Sequence, residues 1–495
     1  MTASDFPGRD ALGERDWARL AWIALGAILV LRVISLWFNT TELFFDEAQY
    51  WVWGKEPAFG YFSKPPVLAW IIGLVTGVCG DSEFCVRLAS PIIHTGTAFV
   101  VFLIAGMLFD RRTAFWSAFT YALLPAVSLS SGVISTDVPL LFFWALALYA
   151  FLKFERTNAA AWAVMLGVAI GLGVMSKYAM LYILPCIALY SLSIVERPHV
   201  LARGRFWLAM AIAALIVAPN IWWNYVNQFA TVGHTGENIG WGGKFPNVGG
   251  FAEFAASQFA VMGPLMFGIY VASVFRLPRE GMTRAQWFLI AFSAPVLATI
   301  LLQALMSKAY ANWAALTYVA GTILAVEIML NRLPQWWLRV STSIHAVVFA
   351  VLLVAVAFSR PGELPLPEGA DPFARMHGAK EVASEARAKI SQGDYQAILV
   401  DERQMAALMH YYLRDLDLPI KSWQRGRAPD DHFELTRPYQ DQRLSPVFYI
   451  TRNNNPARVV SNFVYAERLA VFKPDVPGFR KVSFYTLRGP APAAQ

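Results

Sequence analysis

Charge is what this chain of 495 residues is short of. Asp, Glu, Lys and Arg make up 15% of it and apolar residues 57%, where soluble domains run at about 25% and 45–50%. An ordinary soluble fold is excluded, because much of such a surface must face lipid. A net charge of +7 would suggest nucleic acid in a soluble protein, but the positives here sit in short loops between apolar runs and report topology. No Gly-rich phosphate loop is present, which excludes the usual nucleotide site. No internal repeat and no long low-complexity segment interrupts the chain. A small-residue cleavage site is also missing after the first apolar run, which is about 22 residues long; that run reads as a retained span. Cysteine is sparse. Cys79 and Cys85 bracket the loop Gly80-Asp81-Ser82-Glu83-Phe84 and can pair if that face is oxidising. Cys186 lies in a span and reads as a packing residue.

What is abundant is apolar runs long enough to cross a hydrocarbon core, recurring from Trp17 to Phe358 and ceasing at Arg360. Spans at 17–38, 86–108, 113–130, 138–154, 160–176, 179–195, 206–226, 254–275, 285–304, 311–330 and 337–358 predict about eleven crossings of a polytopic α-helical membrane protein. Arg9, Arg15 and Arg19 precede the first span. The even-numbered spans end at Arg111–Arg112, Lys153/Arg156, Arg197/Arg203/Arg205, Arg276/Arg279/Arg284 and Arg332/Arg339, which makes those loops cytoplasmic. The opposite face carries mostly solitary cations, Lys64, Arg87, Lys177, Lys244 and Lys308, together with Asp46, Glu47 and Asp137. It is the candidate reaction side.

Pro65–Val78 is apolar but too short to cross, and counting it as a span would put the arginine clusters outside. Residues 39–85 thus form one large outer loop with two amphipathic pieces, Asp46–Gly54 and Pro65–Val78. The odd number of spans places the tail outside as well. Residues 1–360 read as the transmembrane domain and 361–495 as a small α/β domain, joined by a linker at Pro361–Pro367. In the tail, Glu381–Ile390 and Gln404–Leu413 read as helices, and Ala397–Val400, Val447–Ile450 and Val482–Leu487 as strands. Nothing in the tail resembles a metal cluster or a nucleophile elbow.

Two clusters can carry chemistry. Asp46 and Glu47, in Phe44-Phe45-Asp46-Glu47-Ala48-Gln49-Tyr50-Trp51, are two carboxylates at a membrane surface, costly to desolvate unless they face water or serve a site. The ordinary alternative is an acidic helix start. Trp51, Trp53, Phe59, Tyr61 and Phe62 can form an interfacial belt and nothing more. In Tyr61-Phe62-Ser63-Lys64-Pro65-Pro66, a lysine fixed between aromatics and prolines suits a carrier phosphate; a snorkelling lysine is the alternative. Lys177 and Lys308, each beside Ser at an outer span end, have the same two readings. Asp137, between Ser135-Thr136 and Pro139, fits a helix N-cap or a polar site equally well. His234, alone in its polar loop, lacks the company a metal ligand needs. Arg32, inside the first span, faces a cavity or reaches the outer interface.

Taken together, Asp46-Glu47-Ala48-Gln49-Tyr50 and Tyr61-Phe62-Ser63-Lys64-Pro65-Pro66 after the first span, followed by Arg87-Leu88, resemble the GT-C glycosyltransferases that use polyprenyl phosphate sugars. That branch includes the protein O-mannosyltransferases and the lipid A aminoarabinose transferase, and the resemblance covers roughly residues 17–330. It implies an essential acid in the first outer loop at Asp46, with Glu47 beside it, and a carrier-phosphate site at Lys64 with Tyr61. Asp137 is a second family acid. Ser176-Lys177-Tyr178, Trp222-Trp223-Asn224 with Gly233-His234-Thr235, and Ala311-Asn312-Trp313 look most like bacterial members of family 39, which include rhizobial galacturonosyltransferases of lipopolysaccharide. Tyr50, Arg87, Asp137 and His234 are the substrate-site candidates, with Lys177 and Lys308 as further phosphate ligands. The aminoarabinose transferases have Glu immediately before the lysine, where this chain has Ser63, so neither their specificity nor a metal carries over. No cofactor is implied.

The resemblance implies an enzyme of the bacterial inner membrane with its site facing the periplasm. A polyprenyl phosphate sugar is the donor, and lipid A, lipopolysaccharide or another glycolipid is the acceptor. Two alternatives stand beside it: a protein O-mannosyltransferase, and a lipid-linked sugar transporter or flippase, since many spans with buried charges describe transporters too.

Overall fold

A computed structural model describes residues 13–194, 199–240, 245–360, 363, 371–440, 444–476 and 480–490. Arg9, Arg197, Lys244 and, apart from Glu363, the linker expected at Pro361–Pro367 lie outside these residues. The chain forms two compact units: residues 1–36, 88–229 and 235–353 make the first, and residues 37–87, 230–234 and 354–495 the second.

The first unit is helical. Among the described residues, six helices are long and apolar enough to cross a membrane: Glu14–Trp37, Glu83–Leu108, Asp137–Thr157, Gly204–Val226, Arg284–Met306 and Trp336–Phe358. The protein is therefore a multi-pass membrane protein, and the expected run at 254–275 needs correcting. It is not one straight span but a pair of helices, Val248–Met262 and Pro264–Glu280, bent by 115°. The cause is local: Gly263 sits at φ +88°, which a side chain would resist, and Pro264 has no N–H to continue the preceding helix. A Cβ at Gly263 would also collide with His345. Ala160–Val174, Tyr178–Leu192 and Thr317–Asn331 are apolar but shorter, and 113–130 is split into Arg111–Leu123 and Pro125–Ser130. One apolar core runs through this unit and includes Ile28, Trp144, Phe151, Phe288 and Leu324. Arg32 points inward: its guanidinium donates to the Ala122 carbonyl and lies 5.8 Å from the Phe349 ring centre.

The second unit joins residues 37–87, which hold the loop expected outside, to the tail. Its sheet has the order β2-β1-β3-β5-β4, where β1 is Ala397–Val400, β2 Ile420–Ser422, β3 Val447–Thr451, β4 Phe463–Phe472 and β5 Val482–Pro490. Strand β1 runs parallel to β2 and β3, while β5 runs antiparallel to β3 and β4. Helices Ala379–Ile390 and Arg403–Tyr412 complete the α/β layer. Within residues 37–87, Phe45–Lys55 and Val67–Cys79 are helices that approach backbone to backbone at Gly54 and Gly73, where a Cβ on Gly73 would strike the Gly54 carbonyl. Cys79 and Cys85 form a disulfide, which closes the turn between Val67–Cys79 and Glu83–Arg87.

Candidate active site

The acidic pair divides its labour at the start of helix Phe45–Lys55. Glu47 does what a helix start asks: its Oε2 accepts from the Phe44 N–H at 2.9 Å, and the carboxylate then turns inward, 2% exposed. There it receives Arg87 in a fork, Nε to Oε1 at 2.9 Å and Nη2 to Oε2 at 2.7 Å. Arg87 also donates to the Thr41 carbonyl at 3.1 Å, to Thr41 Oγ1 at 2.8 Å and to the Glu42 carbonyl at 2.7 Å. All five guanidinium donors are committed within the protein. A buried pair of this kind is costly to break from one side, so Glu47 and Arg87 hold the loop in shape.

Asp46 faces the other way. Its side chain is 38% exposed, and Oδ1 accepts from Arg403 Nη1 at 2.9 Å; Oδ2 has no hydrogen-bond partner among the described residues. The same Nη1 donates to Gln49 Oε1 at 2.9 Å, one turn further along the helix. Helix Phe45–Lys55 is seated on helix Arg403–Tyr412, with the Trp51 ring edge-on to Tyr411 at 5.0 Å. Leu43 N–H donates to Tyr412 Oη at 2.8 Å, and Glu42 Oε2 accepts from the Ala379 N–H at 2.7 Å. Burial pushes the Glu42 carboxyl above its ordinary range.

Tyr61 is a pillar for the lysine turn. It is 1% exposed and stacks on Trp53 at 4.5 Å with the rings 2° from parallel. Its hydroxyl donates to the Trp53 carbonyl at 2.8 Å and accepts from the Ala58 N–H at 3.1 Å. The turn is closed by the Tyr61 N–H donating to the Lys64 carbonyl at 3.1 Å, and Lys64 is half-buried between buried Ser63 and Pro65. Thr231 Oγ1 donates to the Tyr61 carbonyl at 2.7 Å, which brings His234 edge-on to Phe62 at 6.1 Å. Burial, with the charges of Lys64 and Arg403, pushes the His234 imidazole down to about 4, so the ring is neutral at ordinary pH. Tyr50 is buried against Trp53 at 5.3 Å.

A cavity of about 230 Å³ opens here, lined by Gln49, Phe62, Ser63, His234, Arg403 and His432 among others. His432 packs against Trp53 and Tyr61 at 5.2 and 5.5 Å, and burial with Arg437 pushes it down to about 3. The carboxylates at the rim are held: Arg452 Nε donates to Glu402 at 2.8 Å, and Arg425 donates to Asp431 at 3.2 Å.

Asp46, Glu47, Tyr50, Tyr61, Lys64, Arg87 and His234 thus all fall in the second unit; Asp137, Lys177 and Lys308 fall in the first. Asp137 does not cap its helix. Its Oδ1 accepts from Lys177 Nζ at 2.6 Å and its Oδ2 from Asn312 Nδ2 at 2.6 Å. Lys308 is exposed beside the Tyr310 ring at 5.6 Å. Arg403 is what the sequence reading missed: it lies 357 residues from Asp46, in a tail segment with no motif around it.

A family profile described as dolichyl-phosphate-mannose-protein mannosyltransferase matches residues 63–223. The lipid A galacturonosyltransferase RgtD of Rhizobium johnstonii is 37% identical over 415 residues, 83% of this chain and 87% of its own. The undecaprenyl phosphate-alpha-4-amino-4-deoxy-L-arabinose arabinosyl transferase of Pseudomonas savastanoi pv. phaseolicola is 29% identical over 164 residues, 30% of each chain. The crystal structure of ArnT from Cupriavidus metallidurans bound to undecaprenyl phosphate shares the fold, with a TM-score of 0.66 over 95% of this chain and 98% of that one at 15% identity. With RgtD matched over most of both sequences, the chain belongs to the GT-C family of membrane glycosyltransferases that act on lipid-linked sugars.

Proposed function

We propose that the protein transfers a galacturonosyl residue from an undecaprenyl-type phosphate carrier to lipid A or a related lipopolysaccharide acceptor, with inversion, at the periplasmic face of the inner membrane. The observation that carries this reading is the 37% identity to a lipid A galacturonosyltransferase across 83% of the chain. The geometry around Asp46 supports it. In a single displacement the acceptor hydroxyl oxygen attacks the anomeric carbon, the bond to the phosphate oxygen breaks, and the carrier phosphate leaves with the electron pair. Asp46, one oxygen held by Arg403 and the other open, takes the hydroxyl proton. Lys64 steadies the departing phosphate as a compact positive charge. Glu47, Arg87 and Tyr61 act as positioning residues, while Tyr50 and His234 flank the substrate. Lys177 and Lys308 are the reserve candidates for the phosphate.

In this reading the six long helices, the bent pair and four shorter segments, 111–130, 160–174, 178–192 and 317–331, make eleven crossings. The arginine-rich loops then lie in the cytoplasm and the tail in the periplasm. A reporter fused after Arg112 should read cytoplasm and one after Gln495 periplasm.

The testing experiment is transfer of labelled galacturonate from undecaprenyl phosphate to lipid A by the purified protein in detergent. Labelled lipid A supports the reading; no transfer from that donor to any lipopolysaccharide acceptor refutes it. The profile match at 63–223 favours a second reading, protein O-mannosyl transfer, and label on Ser or Thr of a peptide acceptor would establish that one instead.

A further inference from the structure

Arg403 meets Asp46 with only part of its guanidinium. Nη1 makes both polar contacts, to Asp46 Oδ1 and Gln49 Oε1, each at 2.9 Å, and the group lies 5.0 Å from the Phe45 ring centre. Nε and Nη2 have no hydrogen-bond partner among the described residues. The other arginine at the cavity, Arg425, is spent differently: its Nε donates to Glu434 at 2.7 Å and its Nη2 to Asp431 at 3.2 Å. Arg403 therefore lines the cavity with an edge of its fork that no described residue takes up.

The Nε–Nη2 edge of an arginine presents two parallel N–H groups, the arrangement that matches a carboxylate bidentately. The cavity, about 230 Å³, is smaller than the roughly 300–1,000 Å³ of sites for drug-sized ligands. It suits one sugar ring. Gln49, Ser63 and His234, the last held neutral, line it with hydrogen-bonding groups, and the carboxylates that also line it, Glu402, Asp430 and Asp431, are each paired with an arginine, Arg452 for the first and Arg425 for the other two.

We propose that this cavity receives the sugar of the donor and that Arg403 reads an acidic group on that sugar, so that a residue of the C-terminal domain sets the preference for a uronosyl over a neutral hexosyl donor. The inference rests on Asp46 marking the reaction centre and deepens that reading. Because the same guanidinium holds Asp46 through Nη1, recognition of the acid and placement of the base are one event. A neutral sugar would leave the Nε and Nη2 donors desolvated without an acceptor, a penalty the acidic donor avoids.

The test compares two synthetic donors, undecaprenyl phosphate galacturonate and undecaprenyl phosphate galactose, with lipid A as acceptor and full-length purified protein. The wild type should prefer the galacturonate donor by about 100-fold or more in kcat/KM, with roughly 10⁴–10⁵ as the upper range for a site built to hydrogen-bond a polar group against an analogue that lacks it. Arg403→Gln should cut that preference at least about tenfold, chiefly through the KM of the galacturonate donor, and Arg403→Lys should recover part of it. An unchanged preference in Arg403→Gln overturns the inference whatever the absolute rate, since a disturbed Asp46 would slow both donors alike. If Arg403→Gln does not fold, the methyl ester of the galacturonate donor puts the question to wild-type protein: loss of transfer by about tenfold or more supports the inference, and equal use of ester and acid overturns it. Transfer from neither donor by wild-type protein defeats the lipid-linked donor reading itself, a result distinct from transfer with an unaltered preference.

Discussion

Two aspartates in this protein are dressed alike and left in different states. Asp46 and Asp137 each accept from one cation, Arg403 at 2.9 Å and Lys177 at 2.6 Å, and an amide side chain joins each group, Gln49 in one and Asn312 in the other. At Asp137 the amide donates to the second carboxylate oxygen, so both oxygens are filled, and the side chain is 11% exposed. At Asp46 the amide accepts from the arginine instead, and the second oxygen has no hydrogen-bond partner among the described residues. Composition does not distinguish the two clusters; the direction of one hydrogen bond does. A carboxylate that accepts on both oxygens is tied at both ends and suits a structural role, and one that accepts on a single oxygen keeps the other freer to take a proton.

The largest effect should come from Asp46→Asn, which we expect to lower kcat by about 10²–10⁴, the range for loss of a general base, with the protein still inserted and folded. Asp137→Asn should cost less than about tenfold. Equal losses would break the comparison. Next in size is the buried pair that supports Asp46: Glu47→Gln leaves Arg87 charged and unmatched, and should destabilise the second unit by about 3–5 kcal/mol, read as a fall in unfolding midpoint in detergent. An unchanged midpoint would mean that Glu47 is not the loop's anchor.

Smaller again is the coupling of Asp137 to Lys177. A double-mutant cycle through Asp137→Asn and Lys177→Met should give about 0.5–3 kcal/mol, the range for residues in contact; additive effects would show that the pair is not a structural tie. A further effect, confined to acid conditions, is on pH. His234 is held at about 4, below the roughly 6.5 of an unfolded chain, so the unfolded state binds the extra proton between those values. Stability should be full above about pH 6.5 and fall as pH drops toward 4. His234→Asn should flatten that part of the stability profile, and an equally steep acid limb in the variant would remove His234 as its source.

Much of this was legible in the sequence because it is periodic or local. The helix at Asp46 and the short apolar helix after Pro66 follow from their patterning, and β1 at Ala397–Val400 from an apolar run between turn signals. Strand β4, Phe463–Phe472, escaped because among the described residues it pairs only with β5 and is exposed through most of its length, so no alternation marks it; β2 is three residues at the other edge. The break at Gly263-Pro264 was visible as a residue pair, but apolarity continues across it. At the site, Asp46 and Lys64 stand in a recognisable run. Arg403 does not, since its relation to Asp46 is made only by the fold. Nor can spacing reveal that Glu47, adjacent to Asp46, points into the protein toward Arg87.

The proposed transfer needs Lys64 to meet the carrier phosphate, and direct titration of undecaprenyl phosphate against purified protein measures that contact without chemistry. Wild type and Asp46→Asn should bind with the same affinity, and Lys64→Met should bind at least about tenfold more weakly, because a contact at a poorly solvated interface exceeds the roughly 1 kcal/mol of an exposed pair. Lys64→Arg should restore part of the loss. Equal affinity in Lys64→Met and wild type would contradict the account and move the phosphate to Lys177 or Lys308.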